Sequence, residues 1–312
     1  MDFLQFAKLI RDNVAKVLIG KADVVELLLV SLLTEGHILM EDVPGIGKTT
    51  LAKALARSLD CSFARIQFTP DLLPSDVTGM NFFNQKEQAF EFRAGPVMNQ
   101  IVLADEINRA TPRTQSSLLE AMQERQVTVD GETYRLDRPF MVLATQNPIE
   151  LEGTFPLPEA QMDRFLMRLD LGYPTAEEEE SILLRYQLQD PLETLSPVAT
   201  ADDVRALQAA AREIHVSDDV RRYIVQVVRA TREHPAVDLG VSPRGSLALF
   251  KAGQALAALR GRDYVVPSDV QLLCPPILTH RVHISPQIRL RGRTPEQVVA
   301  EIVAAVPVPV VE

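Results

Sequence analysis

The segment Glu41-Asp42-Val43-Pro44-Gly45-Ile46-Gly47-Lys48-Thr49-Thr50 holds the residue types that bind a phosphate chain. Two glycines allow close backbone approach, a lysine supplies a cation, and a hydroxyl follows it. An apolar run precedes the segment, and a helical pattern of Leu51, Ala52, Leu55 and Ala56 follows it. In that setting the backbone N–H groups of Gly45, Ile46, Gly47 and Lys48 converge on phosphate. Thr50 carries the loop into the helix, whose N-terminus adds its dipole. Lys48 is expected to reach the β- and γ-phosphates and Thr49 to ligate magnesium. One residue departs from the generic pattern: Asp42 stands where a first glycine is usual. The plain alternative is a glycine turn between strand and helix. Gly-Lys-Thr in this setting favours the phosphate loop.

Three further elements bear on the same chemistry. Ile101-Val102-Leu103-Ala104-Asp105-Glu106 reads as a buried strand ending in two acids. Asp105 suits magnesium, usually through water, and Glu106 suits a general base that polarises the attacking water. Asn147, in Ala144-Thr145-Gln146-Asn147-Pro148, ends the next strand, where an amide can orient water against a γ-phosphate. Arg244 follows Ser242-Pro243 in the first turn of a helix, where the dipole disfavours a cation unless an anion is bound. Arg164 precedes the fifth strand. For either arginine a surface salt bridge is the alternative, and the residues alone leave it open.

The elements that must position these groups fall into two parts. Strands are expected at 37–41, 62–68, 101–105, 140–146 and 165–171, alternating with helices, which implies a parallel five-stranded sheet flanked by helices. Hairpins are expected at 79–95, where phenylalanines flank a polar tip, and at 126–136, around Asp130-Gly131. From Thr175-Ala176-Glu177-Glu178, a capping box, the chain reads as helices. Val220, Ile224, Val227, Val228 and Thr231 share a helical spacing, as do Leu247, Phe250 and Leu256. A last helix opens at Thr294-Pro295. The division is a nucleotide-binding core over 1–174 and a small all-α lid over 175–312.

Composition excludes several classes. The 312 residues are 46% hydrophobic and 24% charged, a globular mixture. The longest apolar run, 24–33, is far short of the roughly 20 residues that span a bilayer. Cys61 and Cys274 form no ligand spacing, and the N-terminus has no basic signal region, so a cytoplasmic protein is expected. The net charge of −10 argues against sequence-blind DNA binding. The histidines are scattered, and His280 and His283 form only a weak pair, so no metal beyond magnesium is expected. A strand between the Lys48 helix and the Asp105 strand resembles the additional-strand branch of P-loop NTPases. The guanine signature Asn-Lys-x-Asp is absent from the sequence, which favours ATP.

These motifs together resemble the MoxR group of AAA+ ATPases. The resemblance rests on the Lys48 loop, Gln67-Phe-Thr-Pro-Asp-Leu-Leu-Pro-Ser-Asp76, Ala104-Asp-Glu-Ile-Asn-Arg-Ala110, the Asn147 segment, Pro156-Leu-Pro-Glu-Ala-Gln-Met-Asp-Arg-Phe165 and Ser242-Pro-Arg244. It covers essentially the whole chain, and Asp42 is usual in the group. It implies that Asn147 is the sensor-1 residue and that Arg244 is a sensor-2 arginine reaching the γ-phosphate from the lid. Arg164 becomes an arginine finger acting on a neighbour's ATP, and Ile19-Gly20 lines the adenine pocket, with Gly20 permitting close base approach. The hairpins become the helix-2 insert and the pre-sensor-1 insert. The resemblance further implies a homo-oligomeric, hexameric ring that remodels a client protein with a von Willebrand A-domain partner. A chelatase-like motor and a nucleic-acid-directed motor are the alternatives.

Overall fold

The computed structural model describes residues 1–146, 153–187 and 190–309. Two helices, α1 (Phe3–Val14) and α2 (Ala22–Leu33), precede β1 (Ile38–Glu41), α3 (Lys48–Ser58) and β2 (Phe63–Gln67). Helix α4 (Pro74–Thr78) leads into the hairpin β3 (Gly79–Asn84) and β4 (Ala89–Ala94). Then come β5 (Ile101–Asp105), α5 (Pro112–Glu124) and a second hairpin, β6 (Gln126–Val129) and β7 (Glu132–Arg135). Strand β8 (Met141–Gln146), α6 (Glu159–Met162) and β9 (Met167–Leu169) complete the alternating part. The remainder is helical: α7 (Ala176–Tyr186), α8 (Ala201–Ala211), α9 (Asp218–Glu233), α10 (Pro243–Leu259), α11 (Pro267–Leu278), α12 (Pro286–Leu290) and α13 (Pro295–Ala305). A short antiparallel pair, β10 (Val237–Leu239) with β11 (His283–Ile284), interrupts it.

The central sheet is parallel, in the order β2-β5-β8-β1-β9. Its strands alternate between two cores. Ile38, Met40, Ile101, Leu103, Met141 and Leu143 face the cluster that holds α1, α2, α3 and the helical second half. Leu39, Val102, Ala104, Val142 and Ala144 face a second cluster built on α5. Burial on both faces is why these strands read as unbroken apolar runs. Because parallel strands share one direction, β1, β5 and β8 end on the same edge. That edge carries the Lys48 loop and the Asp105-Glu106 pair.

Two expectations are corrected. Strand β9 is three residues long rather than 165–171, because side chains take the flanking backbone groups. The Phe165 carbonyl accepts from the Arg281 guanidinium, and the Leu171 N–H donates to the Asp42 carboxylate. Leu247 is half exposed on α10, whose buried stripe is Ala248, Leu249, Ala252, Ala255, Leu256 and Leu259.

His37, just before β1, ties sheet to helix. Its Nδ1 accepts from the Val142 N–H at 3.0 Å, so the proton sits on Nε2, which donates to the Met122 carbonyl at 3.1 Å. Burial lowers its pKa from 6.5 to about 4. The unfolded chain therefore binds a proton that the native ring refuses between these values. Stability is full above pH 6.5 and is lost as pH falls toward 4, by up to about 3 kcal/mol. Urea midpoints at pH 7 and pH 4.5 should differ less in His37→Asn than in the wild type. An unchanged difference would assign the acid sensitivity to other groups.

Candidate functional site: a phosphate loop and two remote arginines

The loop between β1 and α3 is built on left-handed glycines. Gly45 has φ +87° and Gly47 φ +99°, conformations costly for residues with a Cβ. Nothing lies within 4 Å of the position a Gly45 Cβ would take, so the loop faces open space. Gly47 caps α3 without any side-chain hydrogen bond, leaving the first N–H groups of that helix for an anion. Lys48 Nζ donates to the Asp42 carbonyl at 2.7 Å. Burial pulls the Lys48 pKa down, and the negative charges of Asp42, Asp105, Glu106 and Asp170 oppose that. Thr49 and Thr50 are half-buried in the first turn of α3.

Asp42 has a role that its position in the motif concealed. Its carboxylate accepts from the N–H groups of Leu171 (2.5 Å) and Gly172 (3.3 Å), where the chain leaves β9 for the helical half. Burial, with Asp170 beside it, raises its pKa. A glycine here would leave the Leu171 N–H without this acceptor, whereas the Gly172 N–H also donates to Asp170 Oδ1 at 2.8 Å. The residue thus joins the base of the phosphate loop to the connection between the two halves.

The acids lie in a connected network. Asp105 Oδ1 accepts from the Thr145 hydroxyl at 2.6 Å, and Oδ2 accepts from Arg65 through Nε (3.0 Å) and Nη2 (2.7 Å). The Thr145 hydroxyl oxygen also accepts from the Glu106 N–H at 2.8 Å. Glu106 has left-handed backbone, φ 56° and ψ 49°, a strained conformation for a non-glycine residue. Its Oε2 accepts from Gln67 Nε2 at 2.8 Å and from Arg109 Nη1 at 3.1 Å. Sequence reasoning missed Arg65, Gln67, Arg109 and Thr145. The last three lie inside the motifs quoted above, where their spacing to the acids was the available signal. Asn147 lies outside the described residues; β8, which leads to it, ends at Gln146 beside Glu41.

A cavity of about 960 Å³ adjoins the loop, lined by Leu18, Ile19, Gly45, Thr50, Tyr173 and Tyr186 among others. Its outer wall is α7, which has no buried residue and presents exposed Leu183 and Leu184. Ile19 lines this space. Gly20 has a different use from close base approach. A Cβ there would lie 1.5 Å from Glu178 Oε1, so the missing side chain seats the first turn of α7 against the N-terminal segment.

The structure does not bring Arg244 to the Lys48 loop. Arg164 and Arg244 instead line a cavity of about 80 Å³ together with Met122 and Gln123. Arg164 Nη1 donates to the Leu119 carbonyl at 2.7 Å, and Arg244 is exposed at the start of α10. Met122 lies against His37 at the beginning of β1, whereas the Lys48 loop follows its end. Four residues of strand, roughly 13 Å at 3.3 Å per residue, separate these levels.

The residues present fit a magnesium nucleotide. The uncapped helix and the open Gly45 face suit phosphates, the largely apolar cavity suits a base, and the Thr49 hydroxyl and Asp105 carboxylate are hard oxygen donors of the kind Mg²⁺ takes. Among the described residues no group of three or more His, Cys, Asp or Glu is arranged to hold a metal ion, and no helix is long and apolar enough to cross a membrane.

Comparison with known proteins agrees. Residues 37–167 match the ATPase family associated with various cellular activities (AAA), and residues 229–302 match the AAA lid domain. The chain is 54% identical to the Bacillus subtilis protein YeaC over 96% of this chain and 93% of that one. It is 41% identical to the chaperone MoxR1 of Mycobacterium tuberculosis, over 95% and 81% of the two chains. A crystal structure of a candidate ATPase from Cytophaga hutchinsonii superposes with a TM-score of 0.92 at 38% identity, covering 98% of this chain and 96% of that one. With its parallel five-stranded core, phosphate loop and helical lid, the chain belongs to the MoxR family of AAA+ ATPases.

Proposed function

We propose that the chain is the subunit of a ring-forming, magnesium-dependent ATPase that remodels client proteins, and that each ATP site is completed by a neighbouring copy. The observation that carries this is the separation just described. The phosphate loop lies beyond the ends of the strands, while Arg164 and Arg244 share a cavity at their beginnings. A head-to-tail contact would set one copy's arginine pair on the next copy's phosphate loop, and heterologous contacts of this kind form a ring when the rotation between copies closes. Arg244 then serves the neighbour rather than its own lid-covered site.

Lys48 and the first N–H groups of α3 hold the phosphates, and the cavity beside Ile19 and Tyr186 holds the base. Thr49 and Asp105 would hold magnesium, which neutralises charge developing on the phosphates. Glu106, released from Gln67 and Arg109, takes the proton of the attacking water. The water oxygen bonds to the γ-phosphorus as the bond to the β–γ bridging oxygen breaks, yielding ADP and phosphate. The neighbour's Arg164 and Arg244 stabilise the charge spread over the transferred group. The core over 1–174 and the lid over 175–312 are the bodies that shift, with Asp42 at their junction. A cytoplasmic hexamer, working on a client with a von Willebrand A-domain protein, is the assembly that family membership suggests.

The test is phosphate release from ATP by the purified full-length chain. With magnesium, release is expected, and excess EDTA should abolish it. Failure to release phosphate at concentrations where the chain is demonstrably oligomeric would overturn the reading.

A further inference from the structure

The two arginines come from opposite halves of the molecule, yet one carboxylate connects them. Asp163 immediately precedes Arg164. Its Oδ1 accepts from Arg281 Nε at 2.7 Å, and its Oδ2 accepts from the Ser242 hydroxyl at 3.0 Å. The Ser242 oxygen in turn accepts from the Arg244 N–H at 3.2 Å, capping α10. Two hydrogen bonds therefore run without a break from the residue beside Arg164 to the backbone of Arg244, across 79 positions of sequence. Arg281 fixes the other side. Its side chain is 3% exposed and also donates to the carbonyls of Phe165 (2.6 Å), Leu166 (3.0 Å) and Ile277.

We propose that Asp163 is a positioning residue that locks Arg164 and Arg244 into one rigid pair, so that core and helical half present both guanidiniums to a neighbouring copy's nucleotide as a unit. This rests on the reading that both arginines act on the neighbour. Capping α10 needs only the serine. A buried ion pair is weak in net stabilisation, because desolvation offsets its attraction, and its better-attested use is to fix one arrangement among alternatives. Here the fixed quantity is the register of Ser242-Pro243-Arg244 against Asp163-Arg164. Two cations lining one cavity of about 80 Å³ repel each other, so the pair needs an external restraint until an anion arrives.

The experiment mixes two inactive full-length variants. Acceptors carry R164A and R244A with an intact phosphate loop, and donors carry K48A with intact arginines. Mixed oligomers should hydrolyse ATP, the donor's arginines completing the acceptor's site. Adding D163N to the donor should cut this activity at least tenfold at saturating ATP, with KM for ATP unchanged. The same D163N in the acceptor should leave it within twofold. Because D163N leaves the Arg281 cation without its counter-charge, a second donor, K48A with S242D, guards against misfolding. Aspartate still caps α10 but repels Asp163, and this donor too should fail, whereas S242T should rescue like serine. Folded D163N or S242D donors that rescue as well as K48A alone would overturn the role of Asp163 and leave the arginines' action on the neighbour standing. K48A donors that rescue nothing would overturn both.

Discussion

Arg164→Ala should reduce ATP turnover by ~10³–10⁵ in the assembled protein, the range expected when a transition-state arginine supplied from outside the site is removed. The loss should fall on kcat, because Arg164 does not line its own copy's nucleotide cavity. Nucleotide affinity of the isolated chain should therefore stay within about twofold. The fold should survive. Arg164 is half-buried, and its described hydrogen bond is one to the Leu119 carbonyl at 2.7 Å, worth about 1 kcal/mol net. Turnover measured on the purified variant, beside nucleotide titration of the same sample, separates the two effects. A variant that turns over like the wild type would remove Arg164 from the reaction. A variant that loses nucleotide affinity instead would place it at its own site.

Glu106→Gln should lower turnover by ~10²–10⁴, the usual contribution of a positioned general base, while leaving ATP bound. The amide keeps a carbonyl oxygen for Gln67 Nε2 and Arg109 Nη1, so the network around Asp105 is retained. It cannot accept the proton of the attacking water. The variant should hold unhydrolysed ATP and accumulate in the oligomeric state. Single-turnover measurement of bound ATP and ADP checks this, and ADP formation at the wild-type rate would mean that another group takes the proton.

The parts of the site formed by contiguous residues were legible because local rules decide them. Gly45 and Gly47 have to be glycines for a loop with positive φ, Lys48 has to follow, and an apolar strand ending in Asp105-Glu106 has few other uses. The sheet was legible because its strands are buried on both faces, and the two hairpins because β-propensity flanks a turn. What the sequence did not disclose depends on contacts between distant segments. Nothing near Ser242 states that its hydroxyl will find Asp163, the contact that accompanies Arg244 and Arg164 in lining one cavity. Expecting Arg244 over its own phosphate loop assumed a lid position that these contacts contradict. Gly20 is a similar case. A glycine beside a nucleotide pocket invites the thought of a base, but the space at its Cα is filled by Glu178, 158 positions further on. Asp42 looked like a departure from a motif because its partners, the N–H groups of Leu171 and Gly172, come from the far side of the sheet's last strand.

The central claim is that each ATP site is completed by another copy of the chain. Its most direct test is the ATPase rate per subunit, with magnesium, as a function of protein concentration, with light scattering on the same samples. The rate should be negligible for the monomer, rise as oligomers form, and saturate when association is complete. A constant, appreciable rate down to concentrations where only monomer scatters would show each chain to be self-sufficient, and would contradict that claim.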